Sequence, residues 1–88
     1  MTALFFRPKA LAGIRSASPE NQKRIRTAIN DLRQGTFPLH TKKLGGVADG
    51  YRTRVGQWRI LFTLQKGIAD IADIFIKKER GDYRRRGK

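Results

Sequence analysis

An α+β fold, with a helical hairpin packed on one face of a roughly four-stranded, mainly antiparallel sheet, is predicted by three stretches of this chain. The first is "YRTRVGQWRILF", residues 51–62, where apolar and basic residues alternate on either side of a Gly-Gln pair and read as a β-hairpin. The second is "SPEN", residues 18–21, a helix start signal followed by apolar residues at helical spacing. The third is "IADIADIFI", residues 68–76, an apolar-rich run of strand length. With 88 residues there is room for one domain, spanning 1–88, with one modest core.

Taken in order, "ALFFRP" at 3–8 predicts a short first strand, with Leu4, Phe5 and Phe6 as strand formers and Pro8 ending the ladder. Residues 9–17 place Ala10, Leu11, Ile14 and Ala17 at helical spacing, with Gly13 lowering helix propensity. A second helix begins with Ser18 as N-cap, Pro19 at the first helical position and Glu20 in the first turn, where its charge suits the helix dipole. Ile25, Ala28, Ile29 and Leu32 form its apolar stripe, and Gly35 fits the C-terminal cap. Lys23, Arg24, Arg26 and Arg33 lie mostly off that stripe and read as a solvated face. Residues 36–50 are a connection rich in glycine and turn formers, the first candidate for a ligand-facing loop.

Three strands follow, at 51–55, 58–64 and about 68–76. A two-residue turn at Gly56-Gln57 sets Val55 opposite Trp58 and Arg54 opposite Arg59. Tyr51, Thr53, Val55, Trp58, Ile60, Phe62 and Leu64 then share the face that the helices cover, and Arg52, Arg54 and Arg59 share the other. Like charges directly opposite each other repel, so the Arg54–Arg59 pair demands a reason. A three-residue loop at 65–67 would bring Asp73 opposite Arg59, making that arginine half of an ordinary cross-strand ion pair.

Composition narrows the function. Twenty Lys and Arg against seven Asp and Glu give a net charge of +13, a surface that calls for a polyanion, of which nucleic acid is the commonest. The tail at 77–88, "KKERGDYRRRGK", extends this basic character around one tyrosine. There is no cysteine and one histidine, which suits a reducing cytoplasm and excludes zinc frameworks. "MTALFFRPKA" lacks a long apolar leader and no eighteen apolar residues run together, so neither secretion nor membrane attachment is predicted.

No cofactor is implied. Gly45-Gly46 lacks the spacing and lysine of a phosphate loop, and the carboxylates are too few and scattered for a metal site. His40 has leucine, threonine and lysine as chain neighbours, with nothing in the sequence to position a serine or carboxylate beside it. The residues left for chemistry are cations and a tyrosine, which suit binding a phosphodiester and stabilising its transition state. RNA carries its own nucleophile, the 2′-hydroxyl, so cleavage needs charge neutralised, a proton removed and a leaving oxygen protonated. Arginine serves the first need but stays protonated and cannot meet the second. A base must come from Lys42, Lys43 or Lys78, crowded by other cations, or from Glu79, Asp82 or Tyr83, and Tyr83 has base stacking as its other use.

The order of strand, helical hairpin, "KKLGG", "YRTRVGQWRILF", a further strand and "KKERGDY" resembles the RelE/ParE superfamily of small bacterial toxins along nearly the whole chain. The ending "IFIKKERGDY" resembles the RelE branch, whose members cut messenger RNA in the ribosomal A site without a metal. The resemblance implies a RelE-like fold, a toxin of a type II toxin–antitoxin system that inhibits translation, a cognate antitoxin encoded alongside, and operator DNA reached only through that antitoxin. It implies catalytic roles for Arg54, Arg59, Lys78 and Tyr83, and the basic charge around them assigns RNA binding to Lys42, Lys43, Arg52, Lys77, Arg80, Arg84, Arg85 and Arg86. Arg52 and Arg54 fall where the branch has lysines, one of them the usual general base, and Lys78 falls at a catalytic arginine. Only Arg59 and Tyr83 match by residue type. The alternative within the superfamily is a ParE-like poison of DNA gyrase that cuts no RNA, and a third reading is a non-toxic nucleic-acid-binding module.

Overall fold

The structure, a computed structural model, describes residues 2–77. Its elements are β1 (Ala3–Phe6), α1 (Pro8–Ser16), α2 (Pro19–Arg33), β2 (Thr41–Lys43), β3 (Gly50–Val55), β4 (Trp58–Gln65) and β5 (Ile68–Ile76). The sheet has five strands in the order β1-β5-β4-β3-β2. All neighbours are antiparallel except β1 and β5, which run parallel because the two helices separate β1 from the rest of the sheet. The predicted count of about four strands is thus one short. The missed strand, β2, is three residues long and pairs only with β3, too brief for alternation to mark it within the 36–50 connection.

Pro8 also has a different task from the one predicted. It occupies the first turn of α1 instead of closing β1, a position where its missing N–H costs nothing and its fixed φ suits the helix. In α2 the Ser18 hydroxyl accepts from the Asn21 N–H at 3.3 Å, as the start signal predicts. One face of the sheet contributes Trp58, Ile60, Phe62, Ala69, Ile71 and Ile74 to the core, against Ala10, Ala17, Ile25, Ala28, Ile29 and Leu32 from the helical side. Thr53 is the one buried polar side chain among the described residues, and its hydroxyl is hydrogen-bonded.

The register of the β3–β4 hairpin is the predicted one, with Val55 opposite Trp58 and Arg54 opposite Arg59. Of the two turn residues only Gly56 has positive φ, at 61°, the pattern of a type II′ turn. The next hairpin departs from expectation. Its loop is the pair Lys66-Gly67, both at positive φ (49° and 76°) as in a type I′ turn, and the register shifts between Leu61 and Phe62, which face Asp73 and Ile71. Ala72 is the extra residue of this bulge. It resets the alternation of "IADIADIFI", so that Ala69, Ile71 and Ile74 are all buried although they do not follow a period of two. The shorter loop and the bulge each shift the pairing by one residue, and together they undo the predicted Arg59–Asp73 pair: Arg59 lies opposite Phe75. Asp73 instead meets the Lys9 ammonium at 3.4 Å, and Asp70 takes a two-pronged bond from Arg7 at 3.1 and 2.9 Å.

Gly13 marks the closest approach of helix to sheet. A Cβ built there would overlap the Ile74 carbonyl oxygen, so the residue that weakens α1 by propensity is the one that lets α1 lie on β5. We expect Gly13→Ala to lower stability by about 1–3 kcal/mol through overpacking, outweighing a helix-propensity gain of about 1 kcal/mol or less. Thermal melts check this, and a rise in Tm would refute the close packing. Phe62, at 1 % exposure and central in the core, should cost about 3–5 kcal/mol on truncation to alanine, read by denaturant titration.

Candidate nucleic-acid interface

The face of the sheet away from the core carries a short row of side chains set by strand pairing. Arg54 on β3 is opposite Arg59 on β4, and Arg59 is opposite Phe75 on β5. On the other side of Arg54, its backbone N–H donates to the His40 carbonyl at 3.2 Å, and its Nη2 lies 3.4 Å from His40 Nδ1. The row is thus His40, Arg54, Arg59, Phe75. One step along the strands a second row contains Lys42 opposite Arg52 and Arg52 opposite Leu61. Together His40, Lys42, Arg52, Arg54, Arg59 and Lys77 line a cavity of about 350 Å³, with no carboxylate in its wall among the described residues.

Arg59 is the most firmly held of these cations. Its Nη1 donates to the carbonyls of Gly56 and Trp58, both at 3.0 Å, which leaves the Nε and Nη2 hydrogens as its remaining donors. Burial, and then the charges of Arg52 and Arg54, push its pKa below the ordinary arginine value. Arginine begins so high that the guanidinium stays charged, and the shift registers a cation held where cations are crowded, a situation that an incoming phosphate relieves. Arg52 and Arg54 are exposed, with guanidinium groups reached directly from solvent.

The loop before β2 is fixed from the core outward. The Thr41 hydroxyl donates to the Pro38 carbonyl at 2.6 Å, so the 2.8 Å bond between Thr41 and Thr53 is donated by Thr53. Pro38 is itself buried. These contacts hold His40 over the end of β3 with φ at 67°, a left-handed conformation that a residue with a side chain adopts at a cost of about 1–3 kcal/mol. His40 also lines a second cavity of about 620 Å³ toward α2, shared with Arg24, Asp31 and Leu39.

Of the sequence-predicted site residues, the structure brings together Arg52, Arg54, Arg59, Lys42 and Lys77. Lys43 is not among them. It stands opposite Tyr51, in the alternate register, and lines the 44–48 loop instead. Lys78, Arg80, Tyr83, Arg84, Arg85 and Arg86, and with them Glu79 and Asp82, lie outside the described residues. His40 is the residue that sequence reasoning missed, because its position depends on β2 extending the sheet and not on its chain neighbours. The signal available was "HTKK", a short alternation just before the hairpin.

A two-helix layer on a five-stranded mixed sheet is the architecture of small proteins solved as the toxins of toxin–antitoxin pairs. Among them the fold is that of RelE. The chain superposes on the isolated RelE toxin of E. coli with a TM-score of 0.78 at 14% identity, covering 100% of each chain. It matches the toxin–antitoxin complex RelB–RelE of Methanococcus jannaschii at TM-score 0.74 and 22% identity, over 90% of this chain and 96% of that one. The DinJ–YafQ complex of E. coli follows at TM-score 0.72 and 12% identity, over 85% and 91%. The sequence matches no family model and no curated protein.

The like-charge pair gives a direct test of the site. Arg54→Thr removes the repulsion across β3 and β4 and should raise stability by about 0.2–1 kcal/mol, with the larger gain at low salt. Urea titrations at low and high salt measure it, and destabilisation by this change would show that the two arginines do not oppose each other in the folded protein.

Proposed function

We propose that this chain is the toxin of a type II toxin–antitoxin pair and cleaves messenger RNA on the ribosome, without a metal, by attack of the RNA 2′-hydroxyl on the adjacent phosphodiester. The observation that carries this reading is the Arg54–Arg59 pair. Two cations are held face to face in a cavity that offers them no carboxylate among the described residues. Such a pair costs folding free energy and gains it back only when an anion sits between the guanidinium groups. A phosphodiester fits the spacing of neighbouring strands, about 4.5–5.5 Å between facing Cβ atoms.

In the transition state the non-bridging oxygens carry more charge than in the ground state. A guanidinium already fixed by two carbonyl bonds, as Arg59 is, meets that charge without reorganising. Arg52 and Lys42, one row along, hold the flanking backbone, and Phe75, exposed at the end of the first row, offers a surface on which a base stacks. Lys78 and Tyr83, outside the described residues, are the further catalytic candidates in this reading, and the arginines at 80, 84, 85 and 86 supply affinity for ribosomal and messenger RNA. An antitoxin with acidic character covers the same face. Its support is that solved neighbours of this fold are complexes with RelB and DinJ, and that so basic a surface left uncovered binds RNA indiscriminately.

The test is single-turnover cleavage of messenger RNA on programmed ribosomes. Arg59→Ala should slow the cleavage step by about 10²-fold or more. Tyr83→Ala should abolish efficient cleavage, and Tyr83→Phe separates stacking from proton transfer. A chain ending at Tyr83 should cleave nearly normally at saturation while losing affinity, with a salt dependence flattened by up to about one logarithmic unit per lost phosphate contact. Full cleavage by both alanine variants would remove the catalytic assignment. Intact messenger RNA together with gyrase-dependent DNA breaks in expressing cells would replace the ribonuclease by a gyrase poison.

A further inference from the structure

We infer that His40 is the general base of the cleavage. This rests on the ribonuclease reading above and assigns the proton acceptor that reading leaves open among lysine, carboxylate and tyrosine. Arg52, Arg54 and Arg59 bind a phosphodiester but cannot take its neighbour's proton, because a guanidinium has no lone pair to offer at physiological pH. Among the described residues of the cavity wall, His40 is the one whose side-chain type is a common general base near neutral pH.

Position and hydrogen bonding support the assignment independently of its titration. His40 extends the row containing Arg54 and Arg59, so its ring borders the place where those two guanidinium groups would hold a phosphate. Only a donor is available on Arg54, so His40 Nδ1 accepts at 3.4 Å and bears the lone pair. The bond is long. A guanidinium that turns to a phosphate gains a shorter, charge-assisted bond and uncovers Nδ1 at the moment substrate arrives. The backbone of His40 is held at φ 67° by the Thr53–Thr41–Pro38 chain of hydrogen bonds, a strained placement at a position where glycine would sit without cost.

The step balances as follows. Nδ1 takes the proton of the 2′-hydroxyl, the 2′-oxygen forms a bond to phosphorus, and the bond from phosphorus to the 5′-oxygen breaks. That oxygen takes a proton from water. The products are a 2′,3′-cyclic phosphate and a 5′-hydroxyl, and the imidazolium returns its proton to solvent. The charged groups around the ring are Lys42 on β2, Arg52 and Arg54 on β3, Arg59 on β4, Lys77 after β5, and Arg24 and Asp31 on α2. Of these side-chain types and His40, only imidazole ordinarily changes its protonation between pH 5 and 8.

His40→Asn is the informative variant. Asparagine tolerates a left-handed backbone, and its Oδ1 replaces Nδ1 as acceptor for Arg54, but it takes no proton at these pH values. With full-length protein and messenger RNA on programmed ribosomes, the wild-type single-turnover rate should rise with pH and level off between pH 5 and 8. His40→Asn should retain its Tm and ribosome affinity, lose about 10²-fold or more in rate, and lose that bend. In His40→Gly, added imidazole should restore cleavage in proportion to its unprotonated fraction. Wild-type rate and pH profile in His40→Asn would overturn the inference and leave the ribonuclease reading in place. A slow His40→Asn that keeps the bend, with no imidazole rescue in His40→Gly, would also overturn it by showing a structural role. Messenger RNA left intact by the wild type would end both readings together.

Discussion

Everything in this protein hangs on the register that the Gly56-Gln57 turn imposes on β3 and β4. A two-residue turn leaves no slack, so Val55 must face Trp58 and Arg54 must face Arg59. One consequence is structural: Thr53, Trp58, Ile60 and Phe62 all fall on the inner face and meet the helices. The other is chemical, since the residues between them are then forced outward together. Slipping the pair by one residue would bury the arginines and expose the tryptophan. Burial of unpaired guanidinium groups costs far more than the repulsion between Arg54 and Arg59 in solvent, so the apolar face holds the basic face in place.

The choice of arginine over lysine on that face shapes the rest of the site. A guanidinium is planar and can spend one nitrogen on the protein and the others on a ligand, which is how Arg59 is arranged, with Nη1 bound to two carbonyls. The same permanence of charge that makes it a good phosphate clamp removes it from proton transfer. In the proposed reaction, acid–base work would then come from the margins of the clamp. The His40 loop lies at one margin, tied to the core through Thr53, and Lys77, the last described residue, lines the same cavity.

How much of this can be read from sequence varies with the range of the interaction that decides it. The hairpin at 51–64 and the helix at 19–33 are local patterns, reinforced by a turn glycine and an N-cap serine, and the structure keeps them. Residues 68–76 are not decided locally. Which isoleucines enter the core depends on the bulge at Ala72, and that bulge answers to β4 and α1, not to neighbours in the chain. Asp73 moved with it, from Arg59 to Lys9. Likewise β2 and His40 are set by pairing to β3, and three residues of alternation carry too little signal to be distinguished from a loop.

The solved neighbours sharpen the distinction between what the fold needs and what the site needs. At 14% identity over the full length of both chains, the E. coli RelE toxin and this protein keep one architecture while differing at most positions. That is the behaviour of a fold specified by the pattern of apolar faces and by turn geometry, for which many side chains serve equally. Phosphodiester chemistry has no such latitude, because an arginine and a lysine at one site differ in whether a proton can be transferred at all. The shared architecture therefore accounts for the sheet and its open outer face, whereas the basic cavity on that face follows from the side chains this chain supplies: two opposed arginines, and a histidine brought beside them by a strand of three residues.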